Sequence, residues 1–131
     1  MQVEREIALF QFFTVPSKRA RYAELLRGMK GRTKVRQSLD HFGDLDLRYC
    51  TKLPANEGTP CKLFVQLRHL GAPSFCYILS SNEEVDGKEL ELEEALGSVV
   101  GRGCGTFVCC VPGKLAYFEG EKPGERYLCK R

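Results

Sequence analysis

Residues 106–118 read as a β-hairpin on local grounds alone. Thr106–Val111 is a short apolar run rich in strand formers, Pro112-Gly113 is a turn pair, and 115–118 runs back as a second apolar segment. Two such runs across a short Gly-containing turn pair antiparallel. Phe75–Ser80 is equally dense in strand formers, and 126–129 reads as a last short strand beyond the polar Gly/Pro loop 119–125. Asp86-Gly87 marks another turn. Between these strands, Leu90, Leu92, Leu96 and Val99 or Val100 recur at helical spacing up to Gly101.

The first half follows the helical period. Val3, Ile7, Phe10 and Thr14 form a stripe that Phe12 and Phe13 widen, so 3–15 reads as a short helix, although the run 7–13 also fits a buried strand. Pro16 breaks that segment and suits the first turn of a second helix. That helix has Tyr22, Leu25, Leu26 and Met29 as its apolar stripe, with Gly28 or Gly31 as its stop. Val35, Leu39 and Phe42 predict a third helix over 33–42, stopped by Gly43. Leu45, Leu47 and Tyr49 alternate with Asp46, Arg48 and Cys50, the period of a half-buried strand. Thr59-Pro60 is a helix start, a hydroxyl cap followed by a first-turn proline. Leu63, Phe64, Leu67 and Leu70 are its buried stripe. Helices gathered early and strands gathered late predict an α+β fold, with a helical N-terminal half packed on a mainly antiparallel sheet formed by the C-terminal half. The 131 residues contain no repeat and no long linker, so one globular domain over 1–131 is expected.

A hydrophobic fraction of 43% and a charged fraction of 28% exclude a wholly disordered or collagen-like chain. Seven cysteines leave one thiol over in any full pairing. No stretch approaches the ~20 apolar residues of a membrane span, and the N-terminus lacks the pattern of a signal peptide. The expectation is a reduced, cytoplasmic protein with mostly buried thiols and no membrane partner.

The net charge of +3 conceals two opposed segments. Lys18, Arg19, Arg21, Arg27, Lys30, Arg32, Lys34 and Arg36 face only Glu24. Glu83, Glu84, Asp86, Glu89, Glu91, Glu93 and Glu94 face only Lys88. A basic segment of this density attracts phosphate polymers or acidic protein surfaces. The plainer alternative is that each run is a solvated helix face and that the two attract each other within the fold.

Other constellations fit known chemistry less well. Cys109-Cys110 is the only close cysteine pair, and neighbouring strand residues point to opposite faces, so no metal is expected. Cys61 in a helix first turn and Cys104 in a Gly-rich loop are candidate nucleophiles only if His41 or His69 reaches them. Residues 101–105 read Gly-Arg-Gly-Cys-Gly, and Arg102 is placed to clamp a phosphate there. However, the loop follows a helix and enters a strand, the reverse of a dinucleotide-binding loop. Asp40, His41, Asp44 and Asp46 cluster in sequence without the spacing of a calcium loop. No cofactor is expected.

The second half also resembles a group of small bacterial cytosolic proteins with no assigned activity. The resemblance rests on Gly71-Ala72-Pro73, Cys76-Tyr77-Ile78-Leu79-Ser80, Asp86-Gly87-Lys88-Glu89, Glu94-Ala95-Leu96, the stretch 111–121 and Pro123-Gly124-Glu125-Arg126-Tyr127, with 44–49 a further part of the pattern. It implies a bacterial cytosolic origin and no particular reaction. The residues therefore point to a binding module that uses Arg27, Lys30, Arg32 and Lys34, with Arg102 as a further contact, on an acidic protein or a nucleic acid. The alternatives are a small enzyme or ligand-binding protein, and self-association. The enzyme or ligand site would form where loop 101–105, the Pro112-Gly113 turn and Tyr117 or Glu119 converge. Self-association into a homo-oligomer would pair the acidic strip with the basic run of another copy.

Overall fold

In the computed structural model, which describes residues 2–131, Pro16 divides the first apolar stretch into two helices. α1 (Val3–Phe13) buries Ile7, Leu9, Phe10 and Phe13, so the helical reading of this run holds. Pro16 opens α2 (Pro16–Leu26), where its missing N–H leaves no bond unmade. Gly28 then breaks the chain, and α3 (Met29–Ser38) starts four residues earlier than its apolar stripe suggests. Met29 therefore belongs to α3 rather than α2 and is 80% exposed. Gly31 is not a stop. It lies inside α3, where a Cβ would fall 2.1 Å from the Leu25 carbonyl oxygen, so its bare backbone lets α3 close on the last turn of α2. A single turn of 3-10 helix (Leu39–His41) ends this run.

Strands β1 (Cys50–Lys52), β2 (Phe75–Ser80), β3 (Glu89–Glu91), β4 (Thr106–Val111), β5 (Leu115–Glu119) and β6 (Arg126–Lys130) form one antiparallel sheet. Its order is β1-β6-β5-β4-β2-β3. The expected hairpin is β4–β5, paired from Thr106 with Glu119 at one end to Val111 with Leu115 at the other. At its turn Gly113 has φ +73°, a conformation open to glycine and costly for other residues.

The class is α+β, with helices mostly early and the antiparallel sheet mostly late. The helices cover both faces of the sheet rather than one. Phe10, Leu26, Val35 and Leu39 pack with Tyr77, Phe107, Phe118 and Cys129 on the first face. Here the Phe107 ring lies 4.7 Å from Phe118 and 5.5 Å from Phe10. On the second face α4 (Pro60–His69) and α5 (Leu92–Val99) supply Leu63, Leu67, Leu92 and Leu96, packed with Ile78, Val108 and Tyr117. Thr59 caps α4 through the Lys62 amide as expected. Burial on both faces is why β2 and β4 are unbroken apolar runs and not alternating ones.

Two further local expectations fail. Of the extended segment read from the alternation over 45–50, only its end becomes a strand, β1 from Cys50, while Leu45 makes a bridge to Thr14 and a turn follows. The Asp46 carbonyl accepts the Tyr49 and Cys50 amides, which folds the chain back and leaves Leu47 71% exposed. Leu90 pairs with Cys76 in β3, and the helix read from it begins at Leu92. Among the described residues no helix is long and apolar enough to cross a membrane.

Candidate functional site

The basic run divides between the inside and the outside of the helical layer. Arg32 faces inward from α3 and is buried. Its Nε donates to Glu6 Oε1 at 3.0 Å and its Nη2 to Oε2 at 2.8 Å, while its Nη1 meets Asp86 Oδ2 at 2.7 Å. Arg36 adds a contact to the same Asp86 oxygen at 3.1 Å and donates to the Ser80 carbonyl. Tyr77 donates its hydroxyl to Glu6 at 2.5 Å. Burial alone would lower the Arg32 pKa, but the hydrogen bonds it donates to Glu6 and Asp86 outweigh it and hold the pKa above its ordinary value. The two opposed runs do meet, at this one point: Asp86 is the acidic residue that turns inward. Arg32 is thus a structural cation that ties α1, α3 and the β2–β3 connection together.

Arg27, Lys30 and Lys34 lie at the surface, and so do Lys18 and Arg21 from the same run. None of the five pairs with a carboxylate among the described residues. Arg27 closes α2, Lys30 and Lys34 stand one turn apart on α3, and Lys18 and Arg21 stand one turn apart on α2. Gly28 offers no side-chain cap to α3, and the Leu25 carbonyl at the end of α2 lies against the first turn of α3 at Gly31. Arg102 is exposed too, but it follows α5 in the opposite layer. It borders an open polar groove of about 550 Å³ with Asn82, Glu84, Val85, Lys88 and Ser98. The fold therefore gathers Arg27, Lys30 and Lys34, removes Arg32 and sets Arg102 apart.

The Gly-rich loop is already satisfied from within. The Gly101 amide donates to both oxygens of Glu119 at 3.0 and 3.1 Å, and the Gly105 amide to Asp40 Oδ1 at 2.7 Å. Carboxylates thus occupy amides that a phosphate would use. Tyr117 and Glu119 do reach this loop, joined by a 2.8 Å hydrogen bond. The Pro112-Gly113 turn does not: it closes the far end of the β4–β5 hairpin and packs on Phe12. The cleft that remains, lined by Gly101, Gly103, Glu119 and Arg126, holds about 110 Å³. Small-molecule sites usually enclose about 300–1,000 Å³.

Cys61 and His69 border one open cleft of about 450 Å³ on α4 but stand eight residues apart along that helix, roughly 12 Å, so the histidine does not reach the thiol, and the remaining candidates hold partners of their own. Cys104 has its pKa raised by burial, then by Asp40 and Glu119, the opposite of what activates a nucleophile. His41 pairs with Glu121 at 3.4 Å. Asp40 binds Ser81, Asp44 accepts from Tyr22, and Asp46 holds Arg19 and Arg48. The acidic cluster at 40–46 is thus dispersed, and no group of three or more metal-ligating side chains converges among the described residues.

Sequence periodicity missed a second basic surface around Tyr49. The Arg131 guanidinium stacks 4.0 Å from the Tyr49 ring centroid and 5.2 Å from that of Phe12, and Arg48 lies 5.3 Å from Tyr49. These residues come from α1, the turn at 48–49 and the last residue of the chain, segments that no short-range pattern joins. No family model, curated protein or solved structure matches this chain.

Proposed function

We propose that this chain is a non-catalytic binding module of the reducing cytosol that takes the phosphate backbone of a nucleic acid on the outer face of α2 and α3. The observation that carries the reading is the set Lys18, Arg21, Arg27, Lys30 and Lys34, exposed on two packed helices and without carboxylate partners among the described residues. A fold that neutralises Arg32 and Arg36 inside, yet leaves five cations open on two helices opposed there only by the exposed Glu24, concentrates positive charge on one part of a chain whose net charge is +3. Phosphates satisfy such a row through counterion release without base contacts.

The small-enzyme reading finds less support. Its Gly-rich loop spends its amides on Glu119 and Asp40, and burial and then the Asp40 and Glu119 charges raise the pKa of the Cys104 thiol there. Fluorescence anisotropy with a labelled oligonucleotide at rising salt tests the proposal. The expected result is binding that weakens as salt rises. The variant K18E/R21E/K30E/K34E should lose it by about ten-fold or more with its circular dichroism unchanged. No binding, or binding indifferent to the four reversals, overturns the reading. A salt-dependent rise in mass on size-exclusion chromatography, with no nucleic acid bound, assigns the basic face to the acidic strip of a second copy instead.

A further inference from the structure

Phe12 and Leu47 are exposed by 40% and 71%, beside a cluster of cations. Arg131 sits between Tyr49 and Phe12, donates Nη1 to the Phe12 carbonyl at 3.3 Å, and anchors its own amide on the Lys114 carbonyl at 2.9 Å. Lys130 is held beside it by a 2.9 Å bond from its amide to the Tyr49 carbonyl. Lys52, Lys114 and Lys130 are exposed and pair with no carboxylate among the described residues. The local acid, Asp46, is buried and shared by Arg48 at 2.7 Å and Arg19 at 3.3 Å. Arg19 belongs to the first half of α2, so this shared carboxylate ties the cluster to that helix.

A partner for such a surface needs negative charge and flat apolar faces together. A duplex offers the charge but keeps its bases stacked inside. A single strand offers both: its phosphates meet the lysines and its unstacked bases continue a stack of rings and guanidinium planes. We infer that the Phe12–Arg131–Tyr49–Arg48 stack is a platform for unpaired bases, so that the nucleic acid bound by this protein is single-stranded. The inference rests on the reading of α2 and α3 as a phosphate track and adds to it the form of the nucleic acid.

The test compares a labelled oligothymidine of about 15 nucleotides with a duplex of the same length, the scale of one single-strand site. The expected wild-type preference for the single strand is about ten-fold, and F12A/R131A should remove most of it while duplex binding stays within about two-fold. The chain contains no Trp, so tyrosine emission is readable, and single-strand binding should quench it in wild type but less in Y49F, which removes the phenol at the platform. Equal affinity for the two forms, or equal loss of both in F12A/R131A, overturns the platform and leaves the helical face standing. Single-strand binding that needs the platform but ignores the charge reversals in α2 and α3 overturns the helical face and keeps the platform. Binding to neither form, with retention on phosphatidylserine vesicles, overturns both.

Discussion

The Arg32 guanidinium lies 2.8 Å from the Glu6 carboxylate, with side-chain exposures of 8% and 0%. Removing one partner of such a pair leaves the other charge buried, which costs about 3–5 kcal/mol. R32M should therefore lower the urea midpoint sharply, because Glu6 would keep only Tyr77 as a donor. The double variant E6L/R32M should recover a large part of that loss, since a buried ion pair exchanged for apolar side chains is near neutral. Two-state denaturation curves followed by circular dichroism check both outcomes.

Stability should fall on the alkaline side. Burial pushes the Cys76 thiol up to about 12 and the Cys109 thiol up to about 11. Burial, then the hydrogen bond to Glu6, raises the Tyr77 hydroxyl to about 12. In each case the folded pKa lies above the ordinary value of 9.0 or 10.0, so the unfolded chain releases its protons first. The stabilisation is complete below about pH 9 and is lost progressively towards pH 12. Thermal melts near pH 8 and near pH 11 should show the drop.

Thiol reactivity should fall into three groups. Cys61 is exposed, Cys104 is half-buried, and Cys50, Cys76, Cys109, Cys110 and Cys129 are buried. A thiol reagent should modify Cys61 quickly. Cys104 should follow more slowly, because burial and then the Asp40 and Glu119 charges disfavour its thiolate. The remaining five should react only on unfolding. Mass spectrometry after timed alkylation reads the order, and fast labelling at Cys129 would contradict this packing.

Gly105 is the tightest contact between the Gly-rich loop and the helical layer. A Cβ there would lie 2.1 Å from the Leu39 carbonyl carbon and 2.4 Å from the Asp40 nitrogen, both backbone atoms that cannot swing aside. G105A should destabilise by about 3 kcal/mol, the upper part of the range for overpacking. G43A, where nothing lies within 4 Å, is the matched control and should change little.

Salt dependence distinguishes individual cations. If Lys30 or Lys34 each neutralises one phosphate, K30A or K34A should reduce the slope of log K against log salt by about 0.7 on a single strand. R32A should instead lower stability first, and any loss of binding should track the unfolded fraction. Paired binding and melting measurements separate these cases.

Much of the fold was legible because its signals are local. The β4–β5 hairpin is two apolar runs around Pro112-Gly113, and α4 starts where a hydroxyl precedes a proline. The strand over 45–49 misled because Leu45 and Tyr49 are drawn inward on either side of an exposed Leu47, which copies a strand's alternation across a turn. The outer cations were legible as a dense run.

The amino-acid order by itself determined the elements, their class and the two opposed charge segments, since periodicity, caps and turn pairs act over a few residues. Only the tertiary structure decided which charges remain available. Arg32 turned inward because Asp86, 54 positions away, and Glu6, 26 away, meet it in the packed layer. Arg131 joined Phe12 across 119 positions for the same reason. The burial that sets a charge's partner arises from packing between distant segments, and no local pattern records it.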